Sequence, residues 1–257
     1  MSTIWGTMAV ATAAATLVVF NPAWAEDSVP SFVEPPKVGP FEVGASATVT
    51  GQYTDNVFST ENDRVGDFVT IVAPEVTLQA RTEDFKLDLG ASAEIGSFAS
   101  ETSEDYTDAK LSAEGQWNLS AEVYLFGGID YAWEHEERSS ADDVNGAEPT
   151  DFRESSAFAG ISAGLGSITT RLGINARNFD FDDTPTSLGG SINNDDRNRL
   201  QTELGARIGY KLGDGQQVFV QGVYDLRSYE SSRDDFGFDR DSDGANAAIG
   251  YLSLIHI

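Results

Sequence analysis

A chain of 257 residues carrying 42 Asp or Glu against 16 Lys or Arg, a formal net charge of −26, repels nucleic acid and anionic surfaces rather than seeking them. Its 8 Tyr, 15 Phe and 4 Trp supply more aromatic surface than a disordered polyanion carries, so it folds. The absence of cysteine excludes disulfides, thiolate metal sites and an acylated cysteine anchor.

Met1 to Ala25 reads as a signal peptide. It is apolar and small from Met8 to Phe20, breaks at Asn21 and Pro22, and ends Ala23, Trp24, Ala25 in the small-x-small order that signal peptidase accepts. No Lys or Arg precedes Ile4, a departure from the usual positive start. The apolar stretch falls short of the roughly 20 residues that a membrane-crossing helix needs, so export with cleavage after Ala25 is preferred over an anchor. Residues 26–40 hold Pro30, Pro35, Pro36 and Pro40 and read as an extended periplasmic arm.

From Phe41 the period becomes two. Phe41, Val43, Ala45, Ala47, Val49, Gly51 and Tyr53 alternate with Glu42, Gly44, Ser46, Thr48, Thr50, Gln52 and Thr54. The pattern returns around residues 85–95, 109–119, 121–133, 168–176, 200–212 and 218–226, and less cleanly at 68–82, 156–166 and 244–251. About ten strands are predicted over residues 41–251. Their length suits the roughly 9 to 11 tilted residues that cross a bilayer, and their apolar faces carry no charge. Tight turns near Thr82 to Asp84, Asn118 to Ser120, Gly166 to Ser167 and Gly213 to Gly215 alternate with long acidic loops. That rhythm predicts an all-β, transmembrane antiparallel up-and-down barrel with short periplasmic turns and long external loops. A lipocalin-like barrel or β-sandwich explains the alternation equally well, but not the loop rhythm or an apolar face rich in Ala and Gly. No long apolar run follows residue 25, which excludes a helical membrane protein.

With the N-terminus periplasmic, Phe41, Phe85, Trp117, Tyr210 and Tyr251 fall at one membrane interface and Tyr53, Tyr131, Trp133 and Tyr224 at the other, a pair of aromatic girdles. The polar faces carry Glu42, Glu75, Asp88, Glu94, Glu114, Glu122, Asp130, Glu203 and Asp225 against Arg81, Lys86, Lys110, Arg171, Arg177, Arg207, Lys211 and Arg227. These line the lumen, where mixed signs pair across the wall and contact water, with few large apolar residues among them.

The loops taken as 54–67, 99–108, 134–155, 178–199 and 230–243 hold 27 Asp or Glu against 7 Arg, so most of the net charge lies outside the wall. Solvation is the preferred meaning, and divalent cations bridging to lipopolysaccharide the alternative. Asp239, Asp241, Asp243 and Gly244 spell the start of a calcium loop, but Gly250 stands where a bidentate Glu is required, so a metal there is the lesser option. His135 is the one histidine before the last few residues. Glu134, Glu136 and Glu137 around it suggest a hydrated acidic loop, and nothing supports a nucleophilic triad or an enzyme. No cofactor is implied.

Residues 252–257 break the alternation and match the translation of a transposon-end adapter used in sequencing libraries. A closing strand with a terminal aromatic is expected in a single-chain barrel and none stands here, so the barrel reads as C-terminally truncated.

Tyr53, Thr54, Asp55, Asn56, Val57 and Phe58, followed by Asp67, Phe68, Val69 and Pro74, resemble the first hairpin of a β-barrel porin family associated with exopolysaccharide export loci. The resemblance implies a channel in the outer membrane of a Gram-negative bacterium that passes a secreted polysaccharide, and it carries over no catalytic residue. Outer-membrane lipid and lipopolysaccharide, the barrel-assembly machinery and polysaccharide export components are the partners it implies. A general small-solute porin and a structural or adhesive barrel with acidic external loops are the alternatives.

Overall fold

The structure, a computed structural model, describes residues 36–213 and 215–253 together with the backbone of Thr12–Ala15. Ten long strands run β1 Phe41–Thr54, β2 Asp67–Arg81, β3 Phe85–Phe98, β4 Tyr106–Asn118, β5 Val123–His135, β6 Asp151–Leu165, β7 Ile168–Phe181, β8 Arg199–Gly213, β9 Gln216–Tyr229 and β10 Ser242–Ser253. Each pairs antiparallel with the next in sequence, an up-and-down meander with no crossover. Among the described residues β1 and β10 do not pair with each other, so the sheet is an open wall. Thr12–Ala15 pairs antiparallel with Val49–Gln52 along the outer edge of β1. The rest of the segment read as a signal peptide lies outside the described residues, as do 26–35 of the arm. The arm's last residues are not extended away from the sheet: Lys37 and Val38 turn back at Gly39 to pair with Glu42 and Phe41.

Alternation builds these strands, and turn chemistry sets their register. Leu165 and Ile168 close a two-residue hairpin whose first position, Gly166, has φ +62°, a conformation that glycine adopts without a Cβ clash. At Pro74, which has no N–H to give, β2 keeps its pairing with β1 but loses it locally with β3, where the partners jump from Val72 with Ile95 to Glu75 with Ser92. The less regular segments around 68–82, 156–166 and 244–251 are strands all the same. The turn expected at Asn118 to Ser120 spans 119–122, which moves Glu122 off the wall: Glu122 lies in the turn, its carbonyl accepting from the amide of Gly164. Strands also reach further into the acidic segments than expected, to His135, Phe181 and Tyr106, because the alternation there is carried by aromatics and acids together. Leu252 and Ser253 continue β10 against Gln217 and Gln216, and 254–257 lie outside the described residues.

The distribution of apolar side chains is inverted relative to a soluble protein. Val49, Leu111, Ile129, Leu172, Leu204 and Val220 stand exposed on one face of the sheet, Ile129 at 62% and Ile249 at 83%. The opposite, polar face is concave: one cavity is lined jointly by Gln52 of β1, Val69 of β2, Tyr106 of β4 and His135 of β5. A sandwich or lipocalin would bury its apolar face, so that reading fails; a face this apolar and this extended needs an apolar solvent. Among the described residues no helix is long and apolar enough to cross a membrane. What core exists lies mainly at the loop end, where Val57, Val69, Ala132, Phe179 and Phe181 are buried.

Candidate functional site

Register places the wall's charges in rows on the concave face. One row runs Asp88, Glu114, Gly128, Phe158, Asn175, Glu203, Asp225 and Gly244 across eight strands. The neighbouring row toward the tight turns holds Lys86, Gln116, Phe126, Gly160, Gly173 and Gly205. Arg171 and Arg207 face each other directly across β7 and β8. Three ion pairs form along the wall: Arg81 with Asp88, Lys110 with Asp130 at 3.5 Å, and Arg177 with Glu154 at 3.1 Å, where Glu154 is a partner that the sequence assigned to a loop. Glu42 pairs with Lys37 at 3.4 Å, and Glu94 accepts from the Tyr106 hydroxyl at 2.7 Å. Glu75, Lys86, Glu114, Arg171, Glu203, Arg207, Lys211, Asp225 and Arg227 join no ion pair among the described residues, so the wall keeps many charges free for water or solute.

The expectation of few large apolar residues on this wall is wrong. On the concave face Tyr124, Phe126 and Phe219 stand toward the tight turns, Phe158 at mid-strand, and Phe152, Phe179, Phe181 and Tyr229 toward the loops. The sequence carried the signal: in Val123-Tyr124-Leu125-Phe126 both phases of the alternation are apolar, which a strand with one wet face does not require. Arginines lie over these rings: Arg171 is 4.3 Å from the centre of Phe126, Arg207 3.6 Å from Phe219, Arg199 4.2 Å from Phe179 and Arg197 4.1 Å from Phe181. A guanidinium over a ring face is held by the ring's quadrupole, which fixes its plane without neutralising it.

The girdle aromatics follow the strand ends on the opposite, apolar face. Phe85 sits beside Trp117 and Tyr210 in line with Tyr251 through Val218 at the tight-turn end, where Phe41 also lies half-buried. Tyr53, Tyr131, Trp133 and Tyr224 lie toward the loop end, with Tyr131 edge-on to Trp133 at 4.5 Å. Phe68, opposite Tyr53, is a further exposed aromatic that the sequence reading left out.

The loops are less simply hydrated than their composition suggests. Glu104, Glu136, Thr150, Thr184, Asn194, Arg197 and Asn198 are all buried. The Arg138 guanidinium donates from Nε and Nη2 to the two oxygens of Glu104, both at 2.7 Å, joining the loop after β5 to the loop after β3. Arg197, from the loop after β7, donates to Glu136 Oε1 at 2.7 Å. Thr150 and Thr184 share a hydroxyl hydrogen bond of 2.7 Å, and the Asn194 side-chain amide donates to Thr184 Oγ1 and to the Asp182 carbonyl. Asp67 caps the neighbouring loop, accepting from the amides of Ser100 and Glu101. Glu136 is therefore an internal strut, contrary to the hydrated loop expected around His135. Burial holds the Asp143 carboxyl above the usual carboxylate range, although Arg138 lies 3.6 Å away and pulls it down. Hydrogen bonding to Glu104 holds the Arg138 guanidinium above its usual range, so it stays charged.

His135 ends β5 with its Nδ1 at 2.9 Å from Asp108 and its ring stacked 3.9 Å from Tyr106. Asp108 also accepts from the His135 amide at 3.0 Å, so one carboxylate holds both the backbone and the ring of this residue. The three aspartates of the candidate calcium loop are not brought together: Asp239 accepts from the Asp241 amide, Asp241 from the Tyr229 amide, and Asp243 lies in β10, accepting from the Tyr224 hydroxyl at 3.2 Å. Among the described residues no three such side chains gather closely enough to hold a metal ion.

No curated protein sequence matches the chain. Among solved structures it is similar to in-vitro folded OmpT, an outer membrane protein of Vibrio cholerae, with a TM-score of 0.47 and 10% identity over 81% of this chain and 63% of that one. Outer-membrane expressed OmpT of Vibrio cholerae gives a TM-score of 0.45 and 11% identity over 81% and 64%. The chain thus spans less than two thirds of the length of these proteins. The family described as "Putative beta-barrel porin 2" matches residues 36–255, which take in all ten strands. That match takes in well over half of the chain, and the chain belongs to this β-barrel porin family of the outer membrane.

Proposed function

We propose that the protein is a passive outer-membrane channel for hydrophilic solutes, with a secreted polysaccharide as its cargo and no catalytic activity. The observation that carries this reading is the concave face itself: its charges outnumber its ion pairs, leaving Lys86, Glu114, Arg171, Glu203, Arg207 and Asp225 free on a surface that only water or a polar solute can satisfy. Ten strands already exceed the eight at which side chains fill a barrel, so a barrel built from this wall encloses water. In this reading residues 1–25 direct export and are removed, the assembly machinery inserts the barrel, and the aromatic girdles and lipopolysaccharide hold it. Cargo chemistry agrees with the wall, where rings and guanidinium groups alternate with carboxylates and amides, since carbohydrates present both C–H faces and hydroxyls.

Conductance of the full-length protein in planar bilayers, together with secretion and uptake by a deletion strain, tests the proposal. A stable water-filled conductance with loss of secreted polysaccharide on deletion supports it. Conductance with normal secretion and impaired uptake would make it a general small-solute porin. A silent bilayer and an unaffected strain would leave the structural barrel, whose rigid, ion-paired loops would then be the working surface.

A further inference from the structure

Gly160, Gly173 and Gly205 are direct register partners on three adjacent strands and form a floor without side chains on the concave face. A Cβ built at Gly160 would lie 2.3 Å from Cζ of Phe126, so the tip of that ring reaches over the first glycine. At Gly205 a Cβ would meet nothing within 4 Å, so the far end of the floor is open. Above it is a cavity of about 480 Å³, within the range of small-molecule sites. Phe126 and Phe158, with ring centres 6.4 Å apart, form its apolar side. Arg171, Arg207, Asn175 and Glu203 supply its polar groups.

We propose that this cradle is a subsite for a carboxylate-bearing sugar unit; the proposal rests on the channel reading and names the chemistry of its cargo. A pyranose offers a flat face of C–H bonds and a rim of hydroxyls. The first fits the Phe126 and Phe158 rings, the second the planar groups of Asn175 and Glu203. Two guanidiniums against one carboxylate leave the cavity lining one positive charge in excess, in a chain whose overall charge is strongly negative. Arg171 and Arg207 each lie over a phenyl ring and are tied to no carboxylate among the described residues, so their paired donors are free to grip a carboxylate at two points. The glycine floor lets the ring settle against the wall, which keeps the rest of the lumen open.

The test is calorimetric titration of the full-length protein in detergent with a galacturonate oligosaccharide and with a neutral galactose oligosaccharide of the same length. Retained heat-dependent gel mobility checks that each variant is folded. The acidic sugar is expected to bind about tenfold more tightly or better, the worth of one charge-assisted hydrogen bond. Arg171→Gln with Arg207→Gln abolishes that preference, and Gly205→Leu, placed where an added Cβ meets nothing within 4 Å, weakens both ligands about tenfold. Equal affinity for the two sugars overturns the charge assignment. Failure of both to bind a protein that still conducts overturns the subsite and leaves the channel standing. Binding to a protein that does not conduct would defeat the channel and leave the subsite.

Discussion

Arg138 and Glu104 meet in a two-point ion pair although 34 residues separate them, and their side chains are 7% and 3% exposed. Removing one partner strands the other as a buried charge, which costs about 3–5 kcal/mol at a site of this kind. Arg138→Ala is therefore expected to release the segment 136–150 while leaving the strands intact. Limited proteolysis of the folded protein should show new cleavage in that segment with unchanged heat-dependent gel mobility. An unchanged cleavage pattern would mean the pair does not order the loop.

Asp143 sits on the other side of the same arginine, and its carboxyl is held above the usual range chiefly by burial. A raised folded-state value means that the closed loop binds the proton more readily than the open one. Its contribution to stability is fully present below the unfolded value, near about 3.9, and is lost as pH rises through the higher folded value. Through this residue, acidification through the raised folded value tightens the loop. Asp143→Asn should be as protease-resistant as the parent at neutral pH or more so, and should show a flatter response to acid. A loop opened by Asp143→Asn would reverse the sign and refute the assignment.

Facing can be tested by charge. Val49 and Leu204 stand 43% and 46% exposed on the apolar face near mid-strand. Arginine at either is expected to cost about 2–4 kcal/mol at the bilayer midplane. Thr48→Arg points to the concave side, where Glu75 and Glu94 line the same cavity, and should be mild. Unfolding from lipid vesicles in denaturant measures all three. Equal destabilisation at Val49 and Thr48 would contradict the register.

Two glycines of one row should respond differently to the same change. At Gly160 a side chain runs into Phe126 and lies 2.5 Å from the Leu172 carbonyl, which as backbone has no room to yield. Gly160→Val should cost about 1–3 kcal/mol by overpacking, while Gly205→Ala should stay close to the parent. The measurement is again denaturant unfolding from vesicles, and comparable losses at both positions would show that the floor is not open at Gly205.

Alternation along the chain was enough to place most strands, their faces and the turns at Gly166 and Gly213, because a period of two and the conformational demand of a tight turn are local properties. Glu122 is different: it lies in the turn between β4 and β5, where alternation carries no information about facing. What lay beyond the sequence was everything that depends on which residues meet across strands. Arg171 over Phe126, Arg138 against Glu104 and Arg197 against Glu136 join residues 34 to 61 positions apart, or neighbours two strands away, and only register and loop closure bring them together. Composition described the loops as solvated because it counts carboxylates without their partners. In the folded chain the arginines are few, but Arg138 and Arg197 stand where a buried carboxylate requires them, since an unpaired charge in that interior would not be tolerated.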